Sequence, residues 1–115
     1  MRVTDLIQKF DLNLYSGEKG LEREVTGGYA CDLLSDVMGH AQEGQVWVTL
    51  QTHKNVMAIA SLKDLAAVIL VKDQAPDEDA AAQSDQEGVP ILGTSRQSFE
   101  MVGALYQYFR EHEIL

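Results

Sequence analysis

Three short runs of this 115-residue chain carry side chains suited to holding a small anion. Gln51-Thr52-His53-Lys54-Asn55 supplies a hydroxyl, an imidazole, an ammonium and two amides. Gly93-Thr94-Ser95-Arg96 supplies two hydroxyls and a guanidinium, and Lys72-Asp73-Gln74 lies between these runs in sequence. Each follows a segment that reads as a strand and precedes one that reads as a helix. In an open α/β sheet such junctions gather beyond the carboxyl ends of the strands, where helix N-termini offer free N–H groups. Thr52, His53, Asn55, Thr94, Ser95 and Arg96 are therefore candidate ligand residues, with Arg96 as the counter-charge. The competing reading is that Thr52, Asn55, Thr94 and Ser95 cap helices. Gly27 and Gly28 precede a helix and could add backbone donors to a phosphate; a turn needing positive φ explains them as well. Neither GxxxxGK[ST] nor GxGxxG is present.

The remaining chemistry-bearing residues are sparse. His40, His53 and His112 lack metal-ligand spacing, and no Cys/His cluster accompanies them. His40 falls at a helix end, His112 in the tail, and His53 alone is a candidate for function. Cys31 has no base near it in sequence and reads as an inert thiol. Asp32 and Asp36 are one helical turn apart, which would place both on one face. Nothing assembles a nucleophile, a base and oxyanion donors at recognisable spacing, so no catalytic residues, metal or cofactor are expected.

These residues must be positioned by the elements between them. Val3, Leu6, Ile7 and Phe10 share one helical face, giving a first helix over 5–10 with Thr4 as cap. An extended piece over 12–15 follows, then a half-buried strand over 21–26 from the alternation of Leu21, Arg23 and Val25. Thr26-Gly27-Gly28-Tyr29 reads as a break. A helix over 32–42 stops at Gly44. The β-branched and aromatic run 46–50 is a strand. Residues 55–65 suit a helix, with a strand at 56–59 as the alternative. The apolar run 66–71 is a fully buried strand. Pro76 and three acids open a helix that Gly88 ends. A strand over 89–92 leads to a final helix capped by Thr94 and Ser95, with Phe99, Val102, Tyr106 and Phe109 inward. Met38, Met57 and Met101 are expected in the core.

This order predicts an α/β protein: a three-layer sandwich with a mostly parallel central sheet and helices on both faces. The length suits a single domain, and 45% hydrophobic residues suit a folded one. Eighteen acids against nine bases, a net charge of −9, argue against a nucleic-acid partner. The apolar run 66–71 is too short to cross a membrane. The opening Met1-Arg2-Val3-Thr4-Asp5 lacks the apolar core of a signal peptide, and a lone cysteine cannot form an internal disulfide; the expected compartment is the cytoplasm.

At Glu22-Arg23-Glu24-Val25-Thr26-Gly27-Gly28 the chain reaches a recognisable pattern. It continues through Tyr29-Ala30-Cys31-Asp32-Leu33-Leu34-Ser35-Asp36-Val37, then Val46-Trp47-Val48-Thr49-Leu50-Gln51-Thr52-His53, and Gly88-Val89-Pro90-Ile91-Leu92 ahead of Thr94. On these residues the chain resembles the DRTGG domain family over nearly its whole length, residues 1–115 forming one such domain. Its opening, Val3-Thr4-Asp5-Leu6 through Tyr15-Ser16-Gly17, is also similar to the N-terminal, non-catalytic domain of HPr kinase/phosphorylase. The resemblance implies an α/β sandwich used as a regulatory or dimerisation unit, found beside CBS domains in regulated pyrophosphatases. The P-loop kinase portion is absent, and the resemblance carries over no catalytic residues. Two functions are expected from these readings: a non-catalytic module that forms a homodimer and contacts a partner protein, or a sensor of a nucleotide or phosphorylated metabolite at the strand ends.

Overall fold

The computed structural model describes residues 1–115. Five strands form one sheet in the order β1-β5-β4-β3-β2. These are β1 Asn13–Ser16, β2 Gly27–Ala30, β3 Gln45–Thr49, β4 Ala67–Leu70 and β5 Ile91–Gly93. The pairs β2/β3, β3/β4 and β4/β5 are parallel, and β1 alone runs antiparallel, against β5. The helices are α1 Val3–Phe10, α2 Leu34–His40, α3 Asn55–Leu62, α4 Glu78–Glu87 and α5 Ser98–Glu111.

The three layers follow from the period-2 alternation of the strands. Val46, Val48, Ala67, Ile69 and Leu92 point to one face and pack with Val3, Leu6 and Phe10 of α1 and Met101, Leu105 and Phe109 of α5. Trp47, Val68, Leu70 and Ile91 point to the other and pack with Val37 of α2, four residues of α3 and Ala80 of α4. β4 is buried along its whole length, as its unbroken apolar run requires. Gly88 ends α4 in the left-handed region at φ 68°, its N–H donating to the Ser84 carbonyl.

Several expectations are corrected. Helix α1 begins at Val3 with Arg2 as N-cap, so Thr4 lies inside it and does not cap it. Residues 21–26 form no strand. Their alternation instead packs the chain against the start of α1, where Val3 N donates to Arg23 O, Thr4 N to Leu21 O and Val25 N to Met1 O. A single bridge, Arg2 to Glu24, is all the ladder they make. The strand lies one step later, in the supposed break: Gly27 and Gly28 pair with Gln45 and Val46 of β3. Phe109 of α5 packs over this strand, its ring 3.4 Å from where a Cβ at Gly28 would stand, which is ordinary contact.

Helix α2 begins at Leu34, not Asp32. The Asp32 carboxylate accepts from the Thr49 hydroxyl and from Leu50 N, both at 2.8 Å, and so ties the β2–α2 loop to the end of β3. Asp32 and Asp36 therefore share no helical face. Helix α5 begins at Ser98 with Gln97 as N-cap, so Thr94 and Ser95 do not cap it. Its inner face is Met101, Leu105 and Phe109; Phe99 and Tyr106 are exposed, and Val102 is half-buried. Met57 and Met101 are fully buried, whereas Met38 lies on the surface of α2.

Candidate functional site

The carboxyl edge of the sheet is where α2, α3, α4 and α5 begin. None of these four N-termini has a side-chain cap; the N-cap residues are Leu33, Lys54, Asp77 and Gln97. The capping roles expected of Thr52, Asn55, Thr94 and Ser95 are thus not filled, and the N–H groups of each first turn have no side-chain acceptor at the N-cap.

Thr52, His53 and Asn55 stand at the end of β3. Thr52 accepts from Asp77 N at 2.9 Å through its carbonyl and donates from its hydroxyl to the Asp77 carboxylate at 3.3 Å. This clasps the start of α3 to the start of α4. His53 is half-buried, its carbonyl accepting from Val56 N at 3.0 Å. Asn55 is exposed as the first residue of α3.

Thr94, Ser95 and Arg96 stand at the end of β5, on the far side of β4. Thr94 is buried, and its hydroxyl oxygen accepts from Arg96 N and from Arg96 Nη1, each at 3.2 Å. Arg96 Nη1 also donates to the Phe10 carbonyl at 2.8 Å, and the guanidinium lies 5.8 Å from the Phe10 ring centroid. Arg96 is a brace between the end of α1 and the end of β5. With Phe10, Asp11, Asn13, Asp73, Thr94 and Ser95 it lines a cleft of about 310 Å³. Lys72 and Asp73, both at φ 59°, are held in the left-handed region by N–H bonds to the carbonyls of Arg96 and Thr94.

The candidate residues therefore form two groups separated by the β4–α4 loop. Thr52, His53 and Asn55 do not line the Arg96 cleft. Gly27 and Gly28 lie at the amino-terminal end of β2, away from both groups. Phe10, Asp11 and Asn13 join the cleft because β1 pairs with β5, a non-local contact with no local signal in the sequence. Asp11 and Asp73 lie beside Arg96 there, so the cleft holds both signs of charge.

A second polar cluster joins β2 to α2. The Tyr29 hydroxyl donates to Asp36 Oδ2 at 2.5 Å, and His40 Nδ1 lies 3.3 Å from Asp36 Oδ1. The bond to Asp36 is the main cause that pushes the Tyr29 phenol up to about 12; the same bond holds the Asp36 carboxyl below its ordinary 3.8. A depressed acid contributes stability above its unfolded value and loses it as pH falls. A raised phenol contributes below its unfolded value of 10.0 and loses it as pH climbs toward about 12. Tyr29→Phe is accordingly expected to lower the urea midpoint most between about pH 4 and about pH 10. The difference from wild type narrows beyond both limits; a difference independent of pH rejects the assignment.

The same end of the sheet carries an apolar groove of about 80 Å³ between β2 and α5, lined by Gly28, Ala30, Val102, Tyr106, Phe109 and Leu115 among others.

No protein-family model matches the chain, and no curated protein matches it. Among solved structures it is similar to the CBS and DRTGG domains of the regulatory region of Clostridium perfringens pyrophosphatase, complexed with the activator diadenosine tetraphosphate. The TM-score is 0.68 at 9% identity, over 90% of this chain and 45% of that one. The fold is DRTGG-like. This chain spans about half the length of its structural neighbour. Within the DRTGG-like fold, Gly27 and Gly28 of the run that carried the resemblance open the edge strand β2. Thr26 sets it in place by donating its hydroxyl to the Glu43 carbonyl at 2.9 Å. No helix is long and apolar enough to cross a membrane.

Proposed function

We propose that this chain is a non-catalytic regulatory module of the cytoplasm that acts by forming a homodimer and contacting a partner protein. The observation that carries this reading is the apolar groove between β2 and α5, where the exposed Tyr106 and Leu115 lie beside Gly28 and Ala30. Phe99 is 93% exposed and Tyr106 57%, with Leu33, Met38 and Leu115 also at the surface. An exposed apolar groove marks an interaction site more often than it marks a free face. The DRTGG-like fold supports the regulatory part, since the neighbour is a regulatory region.

A second reading is favoured by the four uncapped helix N-termini and by the neighbour's bound activator. Here the carboxyl edge senses a nucleotide or phosphorylated metabolite through Thr52, His53, Asn55 and Ser95. Thr94 and Arg96 shape that edge, and Arg96 keeps its remaining N–H groups for an anion. Gly27 and Gly28, drawn into β2, are left out of this site. Because Arg96 also braces α1, its replacement costs stability; His53→Ala and Asn55→Ala are the cleaner probes.

Thermal unfolding tests both readings in one series. Self-association predicts a midpoint that rises over about a hundredfold range of protein concentration. Sensing predicts a saturable rise with added diadenosine tetraphosphate, about 2.7 kcal/mol at one hundred times its dissociation constant, that His53→Ala and Asn55→Ala reduce. A midpoint indifferent to protein concentration contradicts the first reading, and one indifferent to the nucleotide contradicts the second for that ligand.

A further inference from the structure

We infer that the cleft at the end of β5 binds a free α-amino acid, its carboxylate on Arg96 and its ammonium between Asp11 and Asp73. The inference goes beyond both readings above. It gives this cleft a ligand of its own, of a different class from a nucleotide and apart from Thr52, His53 and Asn55.

The guanidinium is held in place but not neutralised. Arg96 Nη1 donates to the Phe10 carbonyl and to the Thr94 hydroxyl oxygen. No ion pair of the chain includes Arg96, although the net charge is −9. Nε and Nη2 donate to no protein acceptor. These two nitrogens form a planar fork that matches a carboxylate through two parallel N–H···O bonds. Because the opposite edge is braced on α1 and β5, the fork is set before a ligand arrives, and little side-chain freedom is lost on binding.

Two carboxylates line the same cleft and are equally without partners. Neither Asp11 nor Asp73 enters an ion pair. Both are positioned by their backbone. Asp11 ends α1 at φ 52°, its N–H donating to the Ile7 carbonyl, and Asp73 at φ 59° donates its N–H to the Thr94 carbonyl. Asp11 also stands at the negative end of the α1 dipole, where a cation is favoured. Phe10 and Thr94 are buried beneath, and the exposed Asn13 and Ser95 complete the rim.

This set of charges selects its ligand. A bare metal ion drawn to the carboxylates would meet the guanidinium. A phosphate drawn to the guanidinium, with about two negative charges of its own, would meet both carboxylates. A molecule with one negative and one positive group side by side satisfies all three residues, and an α-amino acid carries both on one carbon. The cleft of about 310 Å³ lies at the small end of ligand sites, which fits so small a molecule.

The test is amide NMR of the full chain, titrated with the common α-amino acids up to about 10 mM. At least one is expected to shift the amides of Asp11, Asp73, Ser95 and Arg96 saturably. Its N-acetyl derivative, which lacks the ammonium, and its α-amide, which lacks the carboxylate, are each expected to bind at least about tenfold more weakly. Asp11→Asn and Asp73→Asn are each expected to weaken binding at least about fivefold; asparagine tolerates the left-handed backbone, so amides away from the cleft keep their positions. No shift by any amino acid overturns the inference. So does an N-acetyl derivative that binds as well as the parent, or unchanged binding in both variants. Diadenosine tetraphosphate is titrated in the same way. Shifts by it at residues 11, 73 and 96 overturn the ligand class and give the cleft to the nucleotide reading, whereas shifts confined to residues 52–55 support two separate sites.

Discussion

Trp47→Ala is expected to lower the stability of the chain by about 3–5 kcal/mol, the range for removing a large aromatic side chain from a core. Trp47 is fully buried on β3, at the centre of the cluster formed by α2, α3, α4 and the sheet. Its indole N–H donates to the Cys31 carbonyl at 2.8 Å, so truncation also strands a backbone acceptor between β2 and α2. For a domain of this size the loss corresponds to a fall of roughly 12–20 °C in melting temperature. Trp47→Phe keeps most of the volume and loses the hydrogen bond, so it is expected to fall between the two. Calorimetry of the three proteins checks this, and a Trp47→Ala loss under about 1 kcal/mol contradicts the core packing described above.

Gly20→Ala is the second large effect, and its cause is different. A Cβ at residue 20 would overlap the Gly88 carbonyl oxygen and lie 2.7 Å from Pro90 Cδ. Both are fixed: Gly88 caps α4, and its carbonyl also accepts from Arg23 Nε at 2.8 Å. Backbone must therefore move, separating the turn at Glu18–Gly20 from the α4–β5 junction. Overpacking of this kind costs about 1–3 kcal/mol and more where neighbours cannot yield. Gly103→Ala is the control, since nothing lies within 4 Å of its Cβ position; in a helix interior it is expected to stabilise by up to about 1 kcal/mol. Urea unfolding of both variants checks the pair. Equal effects of the two substitutions contradict the close approach at Gly20.

How much was legible in the sequence depended on whether a segment's pattern had one cause. The unbroken apolar run ahead of Lys72 has no other explanation than a strand buried on both faces, and β4 is that strand. Pro76 and Gly88 bracket α4 for reasons of backbone geometry alone. Residues 21–26 alternate because Val25 packs beneath α1, not because they pair in the sheet, and periodicity does not distinguish the two. Gly27 and Gly28 read as a break because glycine is rare in strands; what makes them a strand is their pairing with Gln45 and Val46, a non-local contact with no local signal. On α5 the aromatic stripe from Phe99 to Tyr106 looked like a core face, while Met101 and Leu105 held it. That displacement is what leaves Phe99 and Tyr106 exposed. At the candidate ligand edge, local sequence placed Thr94, Ser95 and Arg96 at a strand end, but the long reach of Arg96 to Phe10 depends on how α1 folds back.

The proposed function stands most directly on whether two copies of the chain associate. Sedimentation equilibrium of the wild-type chain over a range of concentrations measures this without a label or a ligand. The account predicts a mass that approaches about 25 kDa, twice the 12.7 kDa of one chain, as concentration rises. A mass that stays at 12.7 kDa at every concentration contradicts it.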